Sequence, residues 1–123
     1  DTERMLAKVS EYNLQGLNAK SSYIKMLEDI VNDYPDYRSA ISVLVDTGGI
    51  EAKAYGVRLY NNKLSEVGVD NYYSLYIGRD EYGGVYLCSE PLPIPEISWR
   101  ILKNGEMCEI SGQEIVQSIV IKD

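Results

Sequence analysis

The sequence predicts an α+β domain, with helices first and an antiparallel sheet after them. Three observations carry that reading. Apolar residues in the first 47 positions recur at three- and four-residue intervals, the helical period. After Gly48-Gly49 the period changes to two, as in strands with one buried face. The chain is also of single-domain size: 123 residues, 45% hydrophobic and 25% charged, which are globular proportions.

Taken in order, Asp1-Thr2-Glu3 precedes Met5, Leu6, Val9 and Tyr12, which form one face of a first helix. Asp1 or Thr2 can cap it, acids suit its first turn, and Gly16 ends it. A second helix is expected from near Ser21-Ser22, with Tyr23, Ile24, Leu27, Ile30, Val31 and Tyr34 on its apolar stripe. Pro35 stops it, because the proline ring cannot continue the hydrogen-bond ladder. A third, shorter helix is expected from about Asp36 through Ala40, Ile41 and Leu44 to Gly48-Gly49. Residues 1–47 are thus expected to be helical and residues 50–123 to be antiparallel strands.

Within the second part, Ala52 to Tyr60 sets Tyr55, Val57 and Leu59 on one face. Tyr73, Leu75 and Ile77 repeat the pattern, the polar stretch Arg79 to Gly83 turns, and Val85 and Leu87 form the next inward pair. Pro91, Pro93 and Pro95 make Pro91 to Glu96 a rigid connection and not a central strand. Trp99 to Leu102 and Met107 to Ile110 are expected to pair as a hairpin through Lys103-Asn104-Gly105-Glu106, since Asn-Gly favours tight turns. Ile115, Ile119 and Ile121 complete a last strand. The expected fold is a meander with two main helices on one face.

Composition excludes several functions. The formal charge of -7, from 12 basic and 19 acidic residues, disfavours nucleic acid and anionic membrane as partners. Residues 1–47 carry 8 acids and 5 bases, so the acidity is spread and no basic patch stands out. The chain has no His, which removes Ser-His-Asp and Cys-His catalysis and imidazole-bound zinc within it. It also has no Phe against 11 Tyr; tyrosine fills similar volumes where its hydroxyl finds a partner. No apolar run approaches the roughly 20 residues of a membrane helix, and no signal-peptide pattern opens the chain. A soluble, cytoplasmic protein without cofactor is the expectation.

The chemistry-bearing residues are few. Cys88 and Cys108 are too far apart for a redox CxxC pair; they suit either two buried thiols or one disulfide. Each falls inside an expected strand with no base nearby in sequence, so neither reads as a nucleophile. Asp33 and Asp36 flank a turn and suit solvation better than metal binding. Arg79-Asp80-Glu81-Tyr82-Gly83-Gly84 lacks the alternating acids of a calcium loop and the Lys-Ser/Thr of a phosphate loop, and reads as a hairpin turn. Tyr72, Tyr73, Tyr76, Tyr82 and Tyr86 suit either a stacking surface or sheet packing with wet hydroxyls.

Four stretches, in order, resemble the distal half of the glutaminase domain of class II glutamine amidotransferases, N-terminal-nucleophile enzymes. Among these the glucosamine-6-phosphate synthases are the most similar in style. Asp1-Thr2-Glu3 looks like the family's helix-opening Asp-Thr/Ser-Glu. Ser74-Leu75-Tyr76-Ile77-Gly78 is similar to its Ser-Pro-Leu-x-Ile-Gly strand. Val85-Tyr86-Leu87-Cys88-Ser89-Glu90 resembles the strand ending in Ala-Ser-Asp/Glu. Leu102 to Ile110 looks like the closing Leu-x-x-Gly-Glu/Asp-Ile-x-x-Ile hairpin.

The resemblance implies half of an αββα sandwich, its strands completed by a proximal half or partner chain, with a homo-oligomer compatible. It implies glutamine as the substrate of the complete domain, its amide hydrolysed to supply ammonia. The nucleophilic cysteine, the carboxylate-binding arginine and the oxyanion hole belong to the proximal half, so this chain alone is expected to be inactive. Asp1 is the one residue matching a family ligand, that of the glutamine α-ammonium group, a role suited to a charge-assisted acceptor. Spacing alone favours a helix N-cap for Asp1, and the two roles can coexist. Against this stands a second expectation, a small non-catalytic α+β domain that binds a protein.

Overall fold

The computed structural model describes residues 2–64 and 73–122 and is α+β. It divides into two compact units, Asp1–Tyr37 and Arg38–Asp123. No helix among the described residues is long and apolar enough to cross a membrane.

The first unit is a helix pair. Helix α1 spans Thr2–Leu14 and buries Val9, while Leu6 on the expected apolar face stays exposed. Its end follows from Gly16, which takes φ +102, a conformation costly for any residue with a Cβ. Leu17 N–H then donates to Tyr12 C=O and Gly16 N–H to Asn13 C=O, the paired bonds of a Schellman cap. Helix α2 spans Ala19–Asp33, starting earlier than Ser21 because Asn18 caps it, its Oδ1 accepting from Ser21 N–H at 2.8 Å. Tyr23, Met26 and Leu27 are buried, and the helix stops before Tyr34-Pro35 as expected.

The second unit holds two antiparallel sheets. Strands β1 (Ser42–Asp46), β2 (Lys53–Arg58), β6 (Glu106–Ser111) and β7 (Glu114–Ile119) form one sheet in the order β1-β2-β6-β7. Strands β3 (Tyr76–Arg79), β4 (Val85–Cys88) and β5 (Ser98–Ile101) form the other in the order β4-β3-β5. Leu75, Ile77, Leu102 and Cys108 are buried together, with Val85 and Leu87 of one sheet and Ile110 and Ile115 of the other packed against them. Each such side chain withdrawn from water contributes about 1.5–3 kcal/mol before entropy is counted. Gly56 permits the close approach of the sheets. A Cβ there would lie 2.9 Å from Leu87 Cδ1 and 3.2 Å from Cys108 Sγ.

Two expectations are corrected. The third helix does not form, and residues 1–47 are not wholly helical: Ser42–Asp46 is strand β1, paired antiparallel with β2 from Ser42↔Val57 to Asp46↔Lys53. The Ser-Val-Leu-Val run has β-branched residues on alternate positions, and pairing with β2 outweighs its weak helical spacing. Gly48-Gly49 lies in the loop that joins the two strands.

The second correction concerns Asn104-Gly105. Strands β5 and β6 do not pair with each other; they belong to different sheets. Gly105 has φ +81 while no non-glycine residue among the described residues has positive φ, and Glu106 N–H donates to Lys103 C=O. That combination is a type II turn, whose twist splays the flanking strands where a type I′ turn would pair them. The turn is a corner between sheets. A Cβ on Gly105 would lie 2.0 Å from Ile121 C=O, so glycine is needed there twice over. The true hairpin is β6–β7, turned by Gly112-Gln113 with φ +60 at Gly112, the type II′ pattern.

Other expectations hold. Pro91 to Glu96 contains no strand, and Asp80 to Gly84 is the loop of the β3–β4 hairpin. The last strand is shorter than expected: β7 ends at Ile119, which is 44% exposed, and Ile121 is buried just beyond it.

Candidate interaction edge

Strand β1 ends the four-stranded sheet, and no strand pairs with its outer side among the described residues. Its position follows from the β1–β2 loop, where Asp46 Oδ1 accepts from Gly48 N–H at 3.0 Å and turns the chain. The register aligns two rows across the sheet. One runs Val43, Gly56, Cys108, Gln117; the other runs Val45, Ala54, Ile110, Ile115. Both rows lie on the face that carries the shared core, because Cys108, Ile110 and Ile115 belong to it.

The core does not reach the end of these rows. Ile41, just before β1, is packed against the core cluster, whereas Val43 is 49% and Val45 59% exposed. Ile50 in the following loop is fully exposed. Apolar surface therefore runs from the core out to an open strand edge. Natural edges are normally blunted by lysine, proline or a bulge; Ser-Val-Leu-Val-Asp has none of these. The only charge on the strand is Asp46, opposite Lys53, whose Nζ lies 3.9 Å from Glu109 Oε1. On the other face, burial first and then the Glu109 and Asp46 charges push the Tyr55 phenol up.

The residues singled out in the sequence fall elsewhere. Asp1 and Tyr72 lie outside the described residues. Cys88 and Cys108 are free thiols, so the disulfide does not form. Cys108 is buried between the sheets, and that burial pushes its thiol up, away from the reactive thiolate. Asp33 and Asp36 are exposed. Tyr76 and Tyr86 point to the same face of the three-stranded sheet, while Tyr82 is 84% exposed at the turn, so the tyrosines do not form one stacking surface.

Asp80 organises its own loop: its carboxylate accepts from Tyr82 N–H, Gly84 N–H and, at 2.6 Å, the Tyr86 hydroxyl. The Tyr86 bond above all, then the Gly84 amide, holds its carboxyl below the usual range. With its oxygens so engaged, the hairpin is a self-satisfied turn. Among the described residues no group of three His, Cys, Asp or Glu could hold a metal ion.

An ionic cluster built on the buried Glu106 and Arg58, with Arg100 half-exposed, braces the corner. Glu106 accepts from Arg100 Nη2 at 2.6 Å and from Lys103 N–H at 2.8 Å. Arg58, directly opposite Glu106 in the sheet, donates to Tyr73 and Leu102 carbonyls and lies over the Tyr60 ring. Neither this cluster nor β1 was singled out from sequence. The signal for β1 is its Val-Leu-Val core flanked by Ser and Asp, a run that also satisfies a helical spacing with Ala40 and Ile41. No family model matches the chain, and neither a curated protein nor a solved structure does.

Proposed function

We propose that the chain is a protein-interaction module that accepts an extended segment of a protein alongside β1. The observation that carries this reading is the continuation of the core's apolar rows to the exposed Val43 and Val45 on a strand whose outer side pairs with no strand among the described residues. An added strand would satisfy the outer backbone groups of β1, and its alternate apolar side chains would extend the two rows. The test is a displayed library of extended peptides selected on the whole chain. Bound peptides should carry apolar residues at every second position and lose binding to Val43→Lys and Val45→Lys. Peptides indifferent to both substitutions would overturn the reading.

A second reading rests on the ordered motifs. On that resemblance, this is the distal part of a class II glutaminase domain, half of an αββα sandwich of cytoplasmic location, with Asp1 holding the glutamine α-ammonium group. Of its motifs, Ser74 to Gly78 leads through β3, Val85 to Glu90 contains β4, and Leu102 to Ile110 runs through the corner into β6. Joined to a proximal half with an N-terminal cysteine, the chain should hydrolyse glutamine and lose that activity on Asp1→Ala. Hydrolysis unaffected by Asp1→Ala, or no hydrolysis, would sink it.

A further inference from the structure

We infer that the segment received by β1 is the β1 strand of a second copy of this chain, joined antiparallel about Leu44. The inference rests on β1 being the interaction edge and names its occupant. Its basis is the self-complementarity of the strand. Pairing about Leu44 sets Val43 opposite Val45 twice and Ser42 opposite Asp46 twice. The exposed valines then cover one another on the core face, where each stands 49% or 59% exposed in the single chain. On the other face Asp46 stands opposite Ser42, whose hydroxyl donates to Ala40 C=O within its own chain, and no two aspartates are opposed. On the opposite edge strand β7 the exposed Val116 and Ile119 face opposite sides of the sheet, with Gln117 and Ser118 between them, so they cannot cover one another as Val43 and Val45 do.

The charge of the chain shapes the strength of this contact. Two copies each of formal charge -7 repel at long range, and salt screens that repulsion. A five-residue edge is also far smaller than a standard interface, so the dimer is weak. Association should therefore tighten as salt rises, opposite to a contact between unlike charges.

Sedimentation equilibrium of the whole chain, from about 0.05 M to about 0.5 M salt, is the test. The expected result is a monomer–dimer equilibrium that tightens with salt, weakens at least about tenfold in Val45→Lys by the cost of a stranded charge, and is unchanged in Val116→Lys on β7. A covalent readout guards against misfolded variants. Leu44 lies on the two-fold axis, facing its own copy at about 4.5–5.5 Å between Cα atoms, within disulfide range. Leu44→Cys in a Cys88→Ser background should therefore cross-link to a dimer under mild oxidation. A chain that stays monomeric and fails to cross-link overturns the inference, as does a dimer lost in Val116→Lys and kept in Val45→Lys. If such a monomer still selects β1-dependent peptides, the interaction-module reading stands and only the second copy falls.

Discussion

The side-chain amide of Asn104 stands in for a neighbouring strand at Tyr60. Its Oδ1 accepts from Tyr60 N–H at 2.9 Å, and its Nδ2 donates to Tyr60 C=O at 2.9 Å. Both main-chain groups of Tyr60 are thus satisfied by one residue, just where β2 has ended. Asn104→Ala should lower unfolding stability by about 1–3 kcal/mol, the scale for stranding two partly buried groups. Asn104→Asp should cost more, because a carboxylate oxygen would replace the donor facing Tyr60 C=O. Urea unfolding of the two variants checks the order.

Two glycines with positive φ should respond very differently to alanine. At Gly105 the new Cβ would collide with Ile121 main chain, whereas nothing lies within 4 Å of a Cβ at Gly112. Gly112→Ala should cost about 1–2 kcal/mol, the conformational penalty alone. Gly105→Ala adds displacement of a main chain and should cost about 4 kcal/mol or more. Paired thermal unfolding measures the gap.

Acid sensitivity should centre on Glu106. Burial pushes its carboxyl up, but the Arg100 hydrogen bond, the Lys103 amide and the charges of Arg100 and Lys103 outweigh that and hold it below its ordinary 4.5. With the folded value depressed, the unfolded chain takes up the proton first as pH falls. The stabilisation is complete above about 4.5 and drains away as pH drops through the folded value. Glu106→Gln should lower stability near neutrality by about 1–3 kcal/mol and flatten the acid slope in urea titrations. Asp80, also depressed, should leave a residual slope of the same sign.

In the helix pair, Tyr12 donates its hydroxyl proton to Asp29, and Lys8 and Lys25 ammonium groups lie 5.7 and 5.3 Å from its ring centre. The Asp29 hydrogen bond, then burial, then the Asp29, Glu11 and Asp33 charges push the phenol up to about 12. Its folded value exceeds the unfolded 10.0, so this contribution is present below pH 10 and lost as pH rises through 12. Phenolate absorbance should show a late-titrating tyrosine that moves toward 10 in Asp29→Asn. An unchanged alkaline limb would contradict the assignment.

Legibility in the sequence followed how local each signal was. Pro35, Gly16 and the three prolines after Glu90 act through their own backbone restrictions, and each falls where it was expected. Residues 36–48 failed because Ala40, Ile41 and Leu44 satisfy a helical spacing while Ile41, Val43 and Val45 satisfy a period of two. Only the partner strand β2 decides between them. Asn104-Gly105 announced a turn correctly, but its sign of φ at Asn104 decides whether strands pair or part. The edge at β1 could not be read because exposure is a property of what the other sheet fails to cover. Asp1, the residue carried by the resemblance, lies outside the described residues.

The corner at Asn104-Gly105 also dictates an order of assembly. Strands β2 and β6 are neighbours in one sheet, yet all of β3, β4 and β5 lies between them in the chain. The β1–β2, β3–β4 and β6–β7 hairpins are local and close on a microsecond scale, about 1–10 µs. The β2–β6 seam has to wait for a long loop to close, and its closure entropy is repaid only at the end. Until that seam zips, β2 is itself an open edge, so the slow step of folding is also the interval in which this chain is most exposed to joining another.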